Sequence, residues 1–336
     1  MSQSVILFTD EQSRLLVNLA QYYEAWIDAE RTLASLPYGM AWKTTSGKDY
    51  LCRIHDRKGN ATGLGPRSAR TEAILTDYRT RKAEADTNRA GAAVKLDEAA
   101  RLYRALRLPM IPAEAAAILR EADRRAMLGS QLLAIGTNAV PAYCIEAAGR
   151  IVDAPDETQD FDMTWIAIEL GSNASPVWAM LKSVDATYTV NTERPFQARN
   201  ARAFEFELLA APSTIAGMGR RDLPRPTTLP EQEWLLRGRH VSQVVVGRDL
   251  SPARLVVPDP RWFALQKLWL SAQEKRNPLK RGKDGRQGIA ILDAVLETMP
   301  QYSLDASFEA EIPDELRPHY DRWKSRDGRP QPSRRW

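Results

Sequence analysis

The sequence predicts an α+β protein: a mixed sheet with flanking helices, preceded by a helical region carrying a β-hairpin and followed by further helices. Three observations carry this expectation. Residues 131–165, QLLAIGTNAVPAYCIEAAGRIVDAPDETQDFDMTW, read as a short apolar strand, a tight turn at Gly136-Thr137, a helix, a polar loop and a second strand. The stretches DFDMTW and FEFELLA alternate acidic and apolar residues with the period of two expected of strands with one buried face. On either side, apolar residues recur at helical spacing, as in Leu15, Leu16, Leu19, Tyr22, Tyr23 and Trp26.

Composition narrows the function classes. The chain has 336 residues, 43% hydrophobic and 27% charged, the balance of an ordinary globular protein with room for two domains. A net charge of +4 permits a nucleotide or nucleic-acid partner without arguing for one. Cys52 and Cys144 are too few and too far apart for a disulfide framework or a zinc site, and His55, His240 and His319 have no ligand-like spacing. The opening MSQSVILFTDEQ lacks a basic segment and long apolar core, and no apolar run approaches the length of a membrane span. A cytoplasmic protein with no membrane partner is therefore expected.

Taken in order, Thr9 and Gln12 form a capping-box pattern at the start of a helix. AWK and DYLCRI read as a hairpin across TTSGK, with Gly47 in the turn. A second turn at Lys58-Gly59-Asn60 leads into TGLGPRS and a new helix. Its Gly63 and Gly65 could receive a phosphate, and Lys43, Lys48, Arg53, Arg57, Lys58 and Arg67 could meet a phosphate backbone. A solvated hairpin and loop is the preferred reading of these residues. Residues 69–128 read as helical, with breaks at Gly91 and around Pro109–Pro112. Past the acidic strands, Pro258 and Pro260 open a helix through Trp262, Phe263, Leu265, Leu268 and Trp269, and KRGKD leads into another. These shifts divide the chain into a helical region with a hairpin (1–112), a core (113–257) and a helical region with a basic tail (258–336).

The chemistry-bearing residues lie in the core. Gly136 lets the backbone approach a ligand, the following helix start presents N–H groups to an anion, and the Thr137 hydroxyl adds a donor. Asp160 and Asp162 project from one strand face, where like charges repel unless something positive lies between them. A shared divalent cation meets that requirement; an exposed acidic strand is the plainer alternative. Glu205 and Glu207 offer a third carboxylate. Alternation alone does not choose between them, and Glu207 is preferred for its apolar neighbours Phe206 and Leu208. Lys267, set among apolar residues, and Lys280, Arg281 and Lys283 could offset phosphate charge or be surface cations.

An apolar strand ending in IGTNA, the DFD strand and the FEFELL strand resemble the nucleotidyltransferase superfamily to which DNA polymerase β belongs. More closely, GTNAxxAY, T-x-D-x-D, PDPRWFALxKLW and KRxKD resemble a bacterial family of nucleotidyltransferase-fold proteins, and the YL…LGPRS hairpin fits it too. The resemblance implies a polymerase β-like nucleotidyltransferase core in which Asp160, Asp162 and Glu207 hold Mg²⁺, with two ions. Gly136, Thr137, Asn138, Lys267 and Lys283 would face the nucleotide. It further implies transfer of a nucleoside monophosphate from a nucleoside triphosphate to an acceptor hydroxyl on RNA, protein or a small molecule. The chain departs from the pattern in having Thr137 where serine is commoner, a longer interval from Gly136 to Asp160, and a third glutamate with a rival two residues away. The competing readings are an inactive nucleic-acid-binding member of the fold, and a toxin or phage-defence component using the same chemistry.

Overall fold

The computed structural model describes residues 4–155, 160–169 and 176–326. Thr158 and Gln159, at the head of the expected acidic strand, and the basic tail from residue 327 lie outside the described residues. The chain forms two compact units, Met1–Val17 with Ala100–Trp336, and Asn18–Ala99.

β1 (Val5–Leu7) leads into α1 (Asp10–Ser35). The expected capping box forms at its start: Thr9 N–H donates to Gln12 Oε1 (2.8 Å) and Gln12 N–H donates to Thr9 Oγ1 (3.2 Å). β2 (Gly39–Thr45) and β3 (Lys48–Ile54) make the expected hairpin. Its turn residues Ser46 and Gly47 have φ of 51° and 73°, both positive, as the tightest hairpin turn requires. β4 (Ala61–Pro66) then pairs with β3, which corrects the sequence reading. TGLGP is a third strand, and Gly63 and Gly65 sit in its ladder rather than in a loop before a helix. α2 (Ala69–Ala105) follows as one continuous helix of 37 residues, so the break expected at Gly91 does not occur. A single glycine costs about 1 kcal/mol relative to alanine, which the surrounding Ala, Glu, Lys and Arg residues outweigh. Within the smaller unit, Leu51 of β3 packs on Leu75 and Tyr78 of α2.

The larger unit continues with β5 (Met110–Ile111), α3 (Ala113–Arg124) and β6 (Leu132–Ala134). A 3₁₀ turn (Gly136–Ala139), α4 (Val140–Glu146), β7 (Gly149–Ile151) and β8 (Asp160–Trp165) come next. Then follow α5 (Val177–Val184), β9 (Thr189–Val190), β10 (Gln197–Arg199), β11 (Glu205–Ala210), β12 (Thr227–Thr228), β13 (Val241–Gly247) and β14 (Pro252–Val257). α6 (Pro260–Ala272), α7 (Pro278–Thr298), α8 (Ala306–Glu311) and α9 (Arg317–Lys324) complete it.

The fold is α+β with mixed sheets, as the alternating segments predict. Strand order in the main sheet is β6-β8-β11-β10-β9, with β12 also on β11. β8 and β11 run parallel, while β6 and β10 flank them antiparallel. A second sheet, β14-β13-β5, and the β1-β7 pair were not foreseen. Three boundaries also differ from expectation. The helix from residue 113 ends at Arg124, since Ala126 has φ of 56°. A 3₁₀ turn separates Gly136 from α4. KRGKD lies inside α7, which starts earlier, where Asn277 Oδ1 accepts from Leu279 N–H (2.9 Å). No helix of the described residues is long and apolar enough to cross a membrane.

Phe161, Met163, Phe206 and Leu208 point from β8 and β11 into the main apolar core and are fully buried. Their alternation sends the acidic residues between them to the opposite face.

Candidate functional site

The parallel register sets Asp160 opposite Glu205 and Asp162 opposite Glu207. Four carboxylates thus share one sheet face, and the sheet's third strand sorts them. Gln197 of β10, almost wholly buried, donates from Nε2 to Glu205 Oε2 (2.8 Å) and to Glu207 Oε1 (3.1 Å). Glu205 is also engaged by the Arg199 guanidinium. Glu207 instead joins Asp160 and Asp162, with one carboxylate oxygen from each lying within 4.8 Å of the others. Of the two glutamates, Glu207 is the one grouped with the acid pair.

The Gly136–Ala139 turn lies against these acids. Ile135 N–H donates to Asp162 O (2.9 Å), and Asn138 Nδ2 donates to Asp160 O (2.9 Å), fastening both ends of the turn to β8. Gly136 between them has φ of 66° and lies against the Asp162 side chain, where a Cβ would collide with the carboxylate. Both features favour glycine here. Asn138 spends its amide on this clamp and is buried. Thr137 is also buried, its hydroxyl 3.4 Å from Gln287 Nε2 of α7, and the same amide donates to Pro155 O.

Charge is concentrated in this region. Burial, then the charges of Asp160 and Glu207, push the Asp162 carboxyl up to about 7, against a partial opposing pull from Lys267 and Lys280. Lys280 Nζ lies 3.4 Å from Asp160 Oδ2 but is more than half exposed. Lys267 is buried and donates to Asp284 Oδ1 (2.8 Å), while Arg276 Nε donates to Asp284 Oδ2 (2.9 Å). Burial and the neighbouring Lys267 hold the Lys283 ammonium below its usual range. Lys267, Lys280 and Lys283 thus belong to one electrostatic neighbourhood with the acid pair. The donors of the carboxylate cluster are all oxygens, which suits a hard divalent cation, and the triad could hold such a metal.

The segments named for their resemblance also explain one another mechanically. Tyr143, from GTNAVPAY, donates its hydroxyl to Pro258 O (3.0 Å) at the head of PDPRW. Asp259 caps α6 by accepting from Arg261 N–H (2.9 Å) and is gripped by the Arg261 guanidinium (2.7 Å). Asp259 is fully buried, and Arg261 also reaches Ser303 O (2.8 Å). PDPRW is thus a helix anchor that ties the turn to the helix carrying Lys267. Sequence reasoning missed Gln197, Arg276, Asp284 and Gln287. Gln197, Arg276 and Gln287 sit in no motif; Asp284 closes the KRGKD segment, yet its pairing with Lys267 and Arg276 arises only through tertiary packing.

Two comparisons return no relative: neither a curated protein nor a solved structure matches the chain. A family model described as Nucleotidyltransferase matches residues 113–312, which include the turn, all three carboxylates and both helices bearing the lysines. That match covers more than half of the chain, and the protein belongs to this nucleotidyltransferase family.

Proposed function

We propose that the protein transfers a nucleoside monophosphate from a nucleoside triphosphate to an acceptor hydroxyl, with Mg²⁺ held by Asp160, Asp162 and Glu207. The observation that carries this reading is the register-paired acid triad facing a glycine turn clamped to the same strand. Bound Mg²⁺, as two ions, would supply charge stabilisation for the attacking and departing oxygens. The acceptor oxygen attacks the α-phosphorus, the bond from that phosphorus to the bridging oxygen breaks, and pyrophosphate leaves. The hydroxyl proton passes to a carboxylate of the cluster.

The chain's own residues account for positioning. Gly136 offers a side-chain-free approach for the phosphates, and Thr137 adds a hydroxyl beside it. Asn138 acts one step back, holding the turn against β8. Lys267 and Lys283 offset phosphate charge, with Asp284 and Arg276 fixing Lys267 in place. The family implies a nucleoside triphosphate substrate; RNA, protein and small molecules are the acceptor classes to search.

Calorimetric titration of each nucleoside triphosphate, with and without Mg²⁺, tests the proposal against the Asp160→Asn/Asp162→Asn double variant. Binding is expected only with Mg²⁺ and only in the wild type. Binding that ignores Mg²⁺, or survives in the double variant, would overturn the site assignment.

A further inference from the structure

A cleft of about 1090 Å³ in the larger unit adjoins the Gly136–Ala139 turn but is separate from the acid cluster. Arg107, Arg150, Arg248 and Arg286 line it. They come from four places: the segment after α2, β7, the segment after β13, and α7. All four are exposed, and among the described residues none has a carboxylate within ion-pair distance. Several other arginines in this unit are ion-paired, Arg125 with Glu121, Arg254 with Asp123 and Arg276 with Asp284, whereas these four are gathered in one concavity. Among the described residues, Asp153 is the acidic one on the cleft wall, against four guanidiniums.

Unpaired like charges in one concavity raise its potential and draw in a polyanion. Guanidiniums bind phosphate oxygens through paired N–H donors, and their distribution over four segments suits a chain of phosphates better than a single one. The volume is at the upper end of what small-ligand pockets need. Phe8 is half-buried on the same wall and offers a ring on which a base can stack.

The cleft leads to the turn. Val140, on its wall, follows Ala139 directly, and Pro155, also on the wall, accepts from the Gln287 amide that meets Thr137. Arg286 is the chain neighbour of Gln287. We propose that this cleft binds the phosphodiester backbone of a single-stranded nucleic acid serving as acceptor, an inference that rests on the transferase reading above.

Fluorescence anisotropy with a labelled oligoribonucleotide of about 12 nucleotides tests it, over a series of salt concentrations. Four phosphate contacts give a log–log salt slope of about −3 for a single strand. Arg150→Gln and Arg248→Gln singly should each flatten that slope by about 0.7, at exposed positions where folding is undisturbed. The variant with all four arginines changed to glutamine should lose at least tenfold in affinity while Mg²⁺-dependent nucleotide binding persists. An oligodeoxyribonucleotide that binds equally well supports backbone contact. No RNA binding by the wild type, or equal binding by the quadruple variant, overturns the cleft assignment; intact nucleotide binding in that case leaves the transferase reading standing. Full competition by inorganic phosphate at micromolar concentration would reassign the cleft to a single anion. RNA binding without any nucleotide binding removes the acceptor role together with the transferase reading.

Discussion

Asp162→Asn should stabilise the metal-free protein, and more so as pH rises. The Asp162 carboxyl is pushed from 3.8 up to about 7, first by burial and then by Asp160 and Glu207. Below pH 3.8 the group is protonated in both folded and unfolded chains and costs nothing. Between 3.8 and about 7 the unfolded chain ionises while the folded one keeps its proton, so stability falls with pH. Above about 7 the penalty is constant. A tenfold change in proton affinity is worth about 1.4 kcal/mol, giving a penalty of about 2 kcal/mol at pH 5 and at most about 4 kcal/mol at pH 8. Asparagine keeps the shape, removes the charge and donates to the neighbouring carboxylates. Urea unfolding with a chelator present, at both pH values, measures the difference. The advantage of the variant should grow by about 2–3 kcal/mol from pH 5 to pH 8. Mg²⁺ should then stabilise the wild type and leave the variant unchanged, because ligand binding to the folded state alone raises stability. An advantage that does not change with pH, or a variant less stable than wild type at pH 8, would refute the reasoning.

Gly136→Ala should lower stability by about 1–2 kcal/mol from its left-handed backbone alone, and should weaken Mg²⁺ binding further as the methyl displaces the Asp162 carboxylate; thermal melting with and without Mg²⁺ reads both effects. Glu207→Gln should abolish Mg²⁺-induced stabilisation, whereas Glu205→Gln, on the Arg199 side of Gln197, should retain it; the reverse order in a Mg²⁺ titration would transfer the third position to Glu205.

The acid-bearing strands were legible because one face of each is buried, and period-two alternation in DFDMTW and FEFELLA is the direct trace of that burial. The choice between Glu205 and Glu207 was not legible. It depends on Gln197 and Arg199 of β10, a strand of three residues with no pattern of its own. β13 and β14 are not legible for a different reason: Val244–Val246 and Leu255–Val257 are consecutive buried apolar residues on both faces and carry no alternation to count. Gly91 does not break α2 because one local breaker is outweighed by the helix formers on both sides of it. The apolar surroundings of Lys267 did signal burial. Its partner Asp284, seventeen residues further on and in the next helix, becomes visible only once α6 and α7 pack together.

The pairing of β8 with β11 also makes the apolar core a measuring device. Phe161 lies beside Phe206 and Met163 beside Leu208, so these pairs fix the register that sets Asp162 opposite Glu207. A shift of one residue would turn Glu207 into the core and bring Phe206 or Leu208 to the open face. Burying an unpaired carboxylate while exposing an aromatic ring is strongly unfavourable, so the slipped pairing is not a competing state. Side chains that never approach a phosphate thereby set the spacing between carboxylates, and the phenylalanines of β8 and β11 are as much determinants of the site as the acids they alternate with.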